Sequence, residues 1–217
     1  MMDTKTPALS FSPTLPEGFV LTPDGGLRRT GGRQARVLLH CCCGPCSTAV
    51  LEWMAGAGVR PGIFFSNANI FPLEEYVRRR ETLSAYAAAF GFEVVDDAWD
   101  HGAWLDFVSR CGDLRMPERG ARCQACFRFR LDRAAAFAAA QGYDLLTTTL
   151  ASSRWKDLGQ VDAAGTAACA GTGVVWWGQN WRKGGLQERR SCLIRETGMY
   201  NQAYCGCEFS HRPEPAG

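Results

Sequence analysis

Short apolar runs alternate with amphipathic, helix-spaced stretches along most of this 217-residue chain, and that alternation restricts the fold more than any other feature. Val37-Leu38-Leu39, Gly62–Phe65, Phe92–Val95, Leu145–Thr149 and Val174–Trp177 each read as a strand. Between them Ser47–Met54 (after Pro45), Leu73–Phe90, Ala103–Ser109, Ala125–Gln141 and Asp157–Thr172 read as helices. Strands separated by helices pair in parallel, and a parallel sheet needs both faces covered. The pattern therefore predicts an α/β chain with a Rossmann-like three-layer fold, a mostly parallel five-stranded sheet carrying helices on both faces. Residues 1–33, rich in Pro, Gly, Ser and Thr, are expected to be a largely irregular extension, with Phe11, Phe19 and Val20 docking on the core. Residues 34–210 are expected to form a single α/β domain and 211–217 a tail.

The chain carries eleven cysteines, four of them in HCCCGPCS: Cys41, Cys42, Cys43 and Cys46. No apolar run approaches the roughly 20 residues of a membrane span. The N-terminus lacks the basic-then-apolar order of a secretory signal. A cytoplasmic location is expected, where thiols stay reduced, so the cysteines point to metal or redox chemistry over structural bridges. Adjacent cysteines are poor disulfide partners, whereas thiolates bind iron–sulfur clusters, zinc and copper(I) tightly. HCCCGPCS follows the first strand and precedes the first helix. In an open parallel sheet that loop lies at the carboxyl edge, where ligands bind. The helix N-terminus beside it favours thiolate over thiol.

Two further motifs follow. RCQACFRFRL places Cys123 and Cys126 as a C-x-x-C just before a predicted helix. A thioredoxin-like pair would sit in the first strand–helix unit and need no other cysteines, so that reading is weak here. Together with the first motif, the pair completes either a zinc tetrahedron or a [4Fe–4S] site, and the spacing leaves both open. NQAYCGCEFS places Cys205 and Cys207 around Gly206, within reach of a small, strained, readily reduced disulfide ring. The alternative is two more metal ligands. Cys41, Cys111, Cys169 and Cys192 are lone, and Cys169, within Ala-Ala-Cys-Ala, reads as a core residue.

Net charge of +2 is too small to imply a nucleic-acid partner by itself. Its distribution is uneven: six arginines lie between Arg115 and Arg133, and five basic residues between Arg182 and Arg195. Such stretches suit a phosphate backbone or, equally, solvated helix faces. Neither a G-x-G-x-x-G nor a Walker motif is present. A nucleotide α-hydrolase of the ATP-pyrophosphatase kind would carry a glycine-serine loop where the cysteines stand. ATP use is therefore not expected, and a metal site at the carboxyl edge takes the nucleotide's place.

LLHCCCGPCST, NANIFPLEEYVRR, RCQACFRFRL, TTTLASSRWK and YCGC, in that order, resemble the cobalamin-independent epoxyqueuosine reductases over about residues 35–210. The resemblance implies a nucleotide α-hydrolase-like sheet and the reduction of epoxyqueuosine at the wobble position of tRNA to queuosine. It implies a [4Fe–4S] cluster on Cys42, Cys43, Cys123 and Cys126, a neighbouring iron, and a redox-active disulfide of Cys205 and Cys207. Cys46 is the candidate ligand for the second metal. The electron donor is expected to be of ferredoxin or thiol type, and no membrane partner is implied. Two departures stand out: the family usually has an aliphatic residue at Cys41, and often proline and histidine where this chain has Arg154 and Trp155. Trp155, Tyr200 and Tyr204 are candidates to stack an everted base, and Tyr204 and Glu208 to relay protons. Two other classes stay open. The Cys42-Cys43-Gly44 run is similar to the CCG cysteines of heterodisulfide-reductase subunits, although that family repeats its module and this chain has one copy. A zinc-stabilised RNA-binding module is the other.

Overall fold

A computed structural model describes residues 10–210. The expected tail and residues 1–9 of the extension lie outside the described residues. The described part of the extension, residues 10–33, contains one short hairpin. β1 (Phe19–Leu21) and β2 (Leu27–Arg29) pair as an antiparallel hairpin. Phe19 and Leu27 are buried, and Phe11 packs edge-on to Trp53 with ring centroids 5.1 Å apart. Val20, expected to dock, is instead exposed. The hairpin turn lies against a second turn: the Gly26 amide donates to the Ala57 carbonyl. A Cβ on Gly58 would come within 2.8 Å of the Gly26 nitrogen, so the two backbones approach too closely for a side chain.

The main sheet follows the predicted alternation, from β3 (Val37–His40) through α1 (Gly44–Gly56), β4 (Gly62–Phe65), α2 (Leu73–Ala88) and β5 (Val94–Asp96). After α3 (His101–Ser109) and α4 (Ala121–Ala140) come β6 (Leu145–Thr148), α5 (Leu158–Cys169), β7 (Val175–Trp176) and α6 (Leu186–Thr197). The strand order is β5-β4-β3-β6-β7 and every pairing is parallel. β3 and β6 are buried along their whole length, as central strands covered on both faces must be. α1 packs on α2 and α6, while α4 packs on α3 and α5. Right-handed crossovers put these two groups on opposite faces of the sheet.

The order in which strands are added reverses between β3 and β6, the two parallel strands from which the connections run outward in opposite senses. A crevice opens outside the carboxyl ends of such a pair. The loop after β3 is Cys41–Cys43. The one after β6 is a 3₁₀ turn, Thr149–Ser152, continuing through Ser153–Lys156. The two helices that carry the motif cysteines begin earlier than their apolar periodicity suggests. α1 starts at Gly44 with Cys43 as its N-cap and Pro45 in its first turn, so Cys46 is helical. α4 starts at Ala121, which places Cys123 and Cys126 inside the helix and not before it.

Candidate metal centre and its cavity

The Sγ atoms of Cys42, Cys43 and Cys46 all lie within 4.8 Å of one another, and all three residues are buried. Cys42 leaves the end of β3, Cys43 caps α1, and Cys46 turns back toward them from the first turn of that helix. The Cys42 and Cys43 sulfurs are 3.7 Å apart. Two metal–sulfur bonds of about 2.3 Å meeting at a tetrahedral angle span nearly the same distance. The donor set therefore fits a soft, thiophilic metal. Without one, hydrogen bonds from Cys43 and Cys46 hold Cys42 well below the usual thiol range. Donating to Cys42 pushes Cys43 up to about 11 and Cys46 well upward.

Polar contacts fix the loop. The Cys42 amide donates to Thr149 Oγ1 (3.1 Å), and the Thr149 hydroxyl reaches the Cys42 sulfur at 3.5 Å. Ser47 Oγ donates to the Cys43 carbonyl (2.7 Å), and Gln202 Nε2 donates to the Cys43 sulfur. His40 is braced below: Nε2 donates to the Ser66 carbonyl, and Nδ1 accepts from Thr148 Oγ1. Burial pulls its pKa down to about 3, so the imidazole is neutral and both nitrogens are engaged. Cys41 is fully buried, its thiol pushed upward by burial, and its sulfur is not one of the close group.

Cys42, Cys43, Cys46, Cys123 and Cys205 line a single cavity of about 830 Å³. Cys123, from α4, accepts a hydrogen bond at sulfur from the Arg119 amide (3.3 Å). Cys126 and Cys207 do not line the cavity. They lie behind its wall in a small apolar cluster with Ala68, Trp104, Val108 and Ala125. Burial pushes Cys126 up to about 12 and raises Cys207 as well. All eleven cysteines are unbonded thiols, Cys205 and Cys207 included.

The segment bearing Cys205 and Cys207 has no regular structure, and α2 positions it. Arg79, almost fully buried, pairs with Glu75 at 2.6 Å and donates to the carbonyls of Cys205 (2.9 Å) and Tyr204 (3.3 Å). Tyr200 donates to Glu75, Tyr204 donates to the Phe71 carbonyl, and the Phe71 amide donates to Gly206. Tyr204 and Tyr200 are therefore tied into this clamp. Glu208 pairs with His101 at 3.3 Å.

The basic stretches resolve into two kinds of residue. Arg122 is buried and donates to the Leu114 and Met116 carbonyls. Arg130 is buried and bonds Ser66 and Asn67, and Arg133 forks onto Asp97. Arg189 forks onto Glu52, and Arg182 holds two carbonyls. These are internal braces, which corrects the reading of either whole stretch as a phosphate-binding face. Arg119, Arg154, Lys156 and Arg190 line the cavity, and so does Arg130, which is both brace and lining. Arg79, Lys156 and Gln202 are absent from the set read out of the sequence. Each lies in or beside one of the five ordered motifs, and that position was the only signal for them. Lys156 is half-buried. Desolvation lowers its pKa, but its electrostatic interaction with the neighbouring thiol groups outweighs this and raises it.

Among the described residues no helix is long and apolar enough to cross a membrane. The family model described as epoxyqueuosine reductase QueH matches residues 37–213. A relative named epoxyqueuosine reductase QueH from Histophilus somni is 40% identical over 178 residues, covering 82% of this chain and 72% of the relative. One of the same name from Haemophilus influenzae is 39% identical with the same coverage. A third, from Thermotoga maritima, is 34% identical over 80% of this chain and 89% of its own length. The chain whose five cysteines line one cavity is thus, over residues 37–213, a member of the epoxyqueuosine reductase QueH family and an oxidoreductase.

Proposed function

We propose that this chain deoxygenates epoxyqueuosine at the wobble position of tRNA to queuosine, in the cytoplasm. The observation that supports this best is the convergence of three close thiols, a fourth from α4 and Cys205 on one cavity. We assign a [4Fe–4S] cluster to Cys42, Cys43, Cys123 and Cys126, and a neighbouring iron to a site that includes Cys46. When bound, such a centre supplies single electrons and a Lewis acid for the epoxide oxygen.

The protein's own groups account for the balance. Removing the oxygen breaks two C–O bonds, forms a C=C bond and releases water, which takes two electrons and two protons. Oxidation of the Cys205 and Cys207 thiols to a disulfide releases two of each. Cys205 faces the cavity and Cys207 stands behind it, so the pair spans its wall. The Glu75–Arg79 clamp holds the Cys205 carbonyl, and Gln202 of the same segment donates to the Cys43 sulfur. A ferredoxin- or thiol-type donor then reduces the disulfide.

The test is anaerobic purification, followed by iron and sulfide analysis, ultraviolet–visible and EPR spectra, and nucleoside analysis of tRNA carrying epoxyqueuosine. Iron, sulfide and new queuosine are expected together. Zinc alone, with epoxyqueuosine unchanged under a strong reductant, would overturn the reading. Cys205→Ser should leave the spectrum intact and abolish multiple turnover with a thiol or ferredoxin donor. Equal turnover in that variant and the parent would make the pair structural.

A further inference from the structure

Arg119 is the one non-glycine among the described residues with a positive φ, at 69°. An L-residue adopts that conformation against a steric cost, so the surroundings must hold it there, and such residues gather at functional sites. Four contacts do so. Its amide donates to the sulfur of Cys123 (3.3 Å), and its carbonyl accepts from Gln160 Nε2 (2.7 Å). Its guanidinium donates to the carbonyls of Trp155 (3.0 Å) and Arg154 (3.5 Å). The strained residue thus ties the loop 154–155 to a thiol of the proposed centre.

That loop presents Trp155, which is 68% exposed, the most exposed large apolar side chain among the described residues. A lone exposed apolar residue ordinarily needs no explanation. This one lines the thiol cavity, and the Arg154 guanidinium lies 5.1 Å from its ring centroid. Arg119, Lys156 and Arg190 line the same cavity. An aromatic plane set among cations at the edge of a reactive pocket matches what an unpaired nucleobase and its phosphates require.

We infer that Trp155 is a substrate-positioning residue: it stacks on an everted base of the RNA at the cavity mouth, and Arg119 holds its loop in place for that contact. The inference rests on tRNA being the substrate.

The test uses the full chain and two synthetic anticodon stem-loop RNAs, one with an unmodified guanine at the wobble position and one abasic there. Trp155→Ala should weaken binding of the guanine RNA roughly 5- to 150-fold, the range for loss of one base–aromatic stack. Trp155→Phe should retain most of the affinity. The parent should bind the abasic RNA as weakly as Trp155→Ala does, and Trp155→Ala should not distinguish the two RNAs, which is the coupling a double-mutant cycle isolates. Equal binding of the guanine RNA by parent and Trp155→Ala would overturn the inference alone. So would an equal loss for both RNAs, or a defect confined to turnover with a protein electron donor, which would make Trp155 a protein-docking residue. A parent that binds neither RNA would overturn the inference together with the tRNA reading beneath it.

Discussion

Gly206 shows how one residue sets the geometry of the dithiol segment. Its φ is 132°, its amide donates to Ser210 Oγ, and its carbonyl accepts from Phe71. A Cβ there would meet Arg79 Nη1 at 3.0 Å and an Ile70 methylene at 3.1 Å. Alanine must therefore displace the arginine that holds the Cys205 and Tyr204 carbonyls. Gly206→Ala should cost about 1–3 kcal/mol of stability, the scale of local backbone strain. Denaturant unfolding measures the loss, and faster labelling of Cys205 by a thiol reagent reports the freed segment. The cysteines invite a second comparison. Cys41 adjoins Cys42 in sequence, yet its sulfur lies outside the close group of three. Cys41→Ser should leave iron and sulfide content unchanged, whereas Cys43→Ser and Cys123→Ala should lower both. Full loading of Cys123→Ala would sink the four-thiolate assignment.

At the scale of elements, what the sequence revealed follows from what generates each element. The five strands of the sheet coincide with apolar runs, and β3, β4 and β6 are buried almost throughout, so their positions could be read directly. The β1–β2 hairpin could not, because each strand has three residues and its support comes from far along the chain. Asp144, just before β6, accepts from Arg29 Nε (2.9 Å), from the Arg36 amide (2.8 Å) and from both terminal nitrogens of Arg33. α6 was missed for another reason: only Leu186 and Leu193 of its residues are buried, and its other positions read as a basic run. Burial alone would raise the pKa of Asp144, but hydrogen bonds from Arg33, Arg36 and Arg29 outweigh it and hold the carboxyl below its ordinary value of 3.8. A depressed folded-state pKa contributes stability that is present above the unfolded value and lost as pH falls through the folded one. The hairpin should therefore stay docked at neutral pH and loosen below about pH 4. Asp144→Asn should remove about 1.5–3 kcal/mol at pH 7, the range for hydrogen bonds to a charged group, and flatten the acid limb of stability. Unfolding of parent and variant between neutral pH and acid pH measures both; an unchanged acid limb in Asp144→Asn would remove Asp144 as its source.

Across the whole molecule, the thiols of the site were legible and its cations were not, for a physical reason. Cysteines gathered in one short loop must be near one another whatever the fold, and parallel topology brings the loops after β3 and β6 to one edge. An arginine in a sequence carries no such mark, because its long stem lets it face solvent, a carboxylate or a cavity with equal ease. Only the fold separates Arg189, locked onto Glu52 with side-chain exposures of 13% and 27%, from Arg119 and Arg154 at the cavity. This division yields opposed expectations for two substitutions that a count of charge treats alike. Arg189→Gln breaks the fork onto Glu52 and should lower stability by about 1.5–3 kcal/mol. It should leave the salt dependence of RNA binding as it was. Arg154→Gln removes an exposed charge and should leave stability within about 0.5 kcal/mol of the parent. If Arg154 meets a phosphate, its loss reduces the slope of log K against log salt by roughly 0.7–0.9. Binding of the guanine stem-loop across a salt series, run beside denaturant unfolding of each variant, separates the two effects. A reduced slope in Arg189→Gln with an unchanged one in Arg154→Gln would reverse the assignment and place the RNA along α6, away from the cavity mouth.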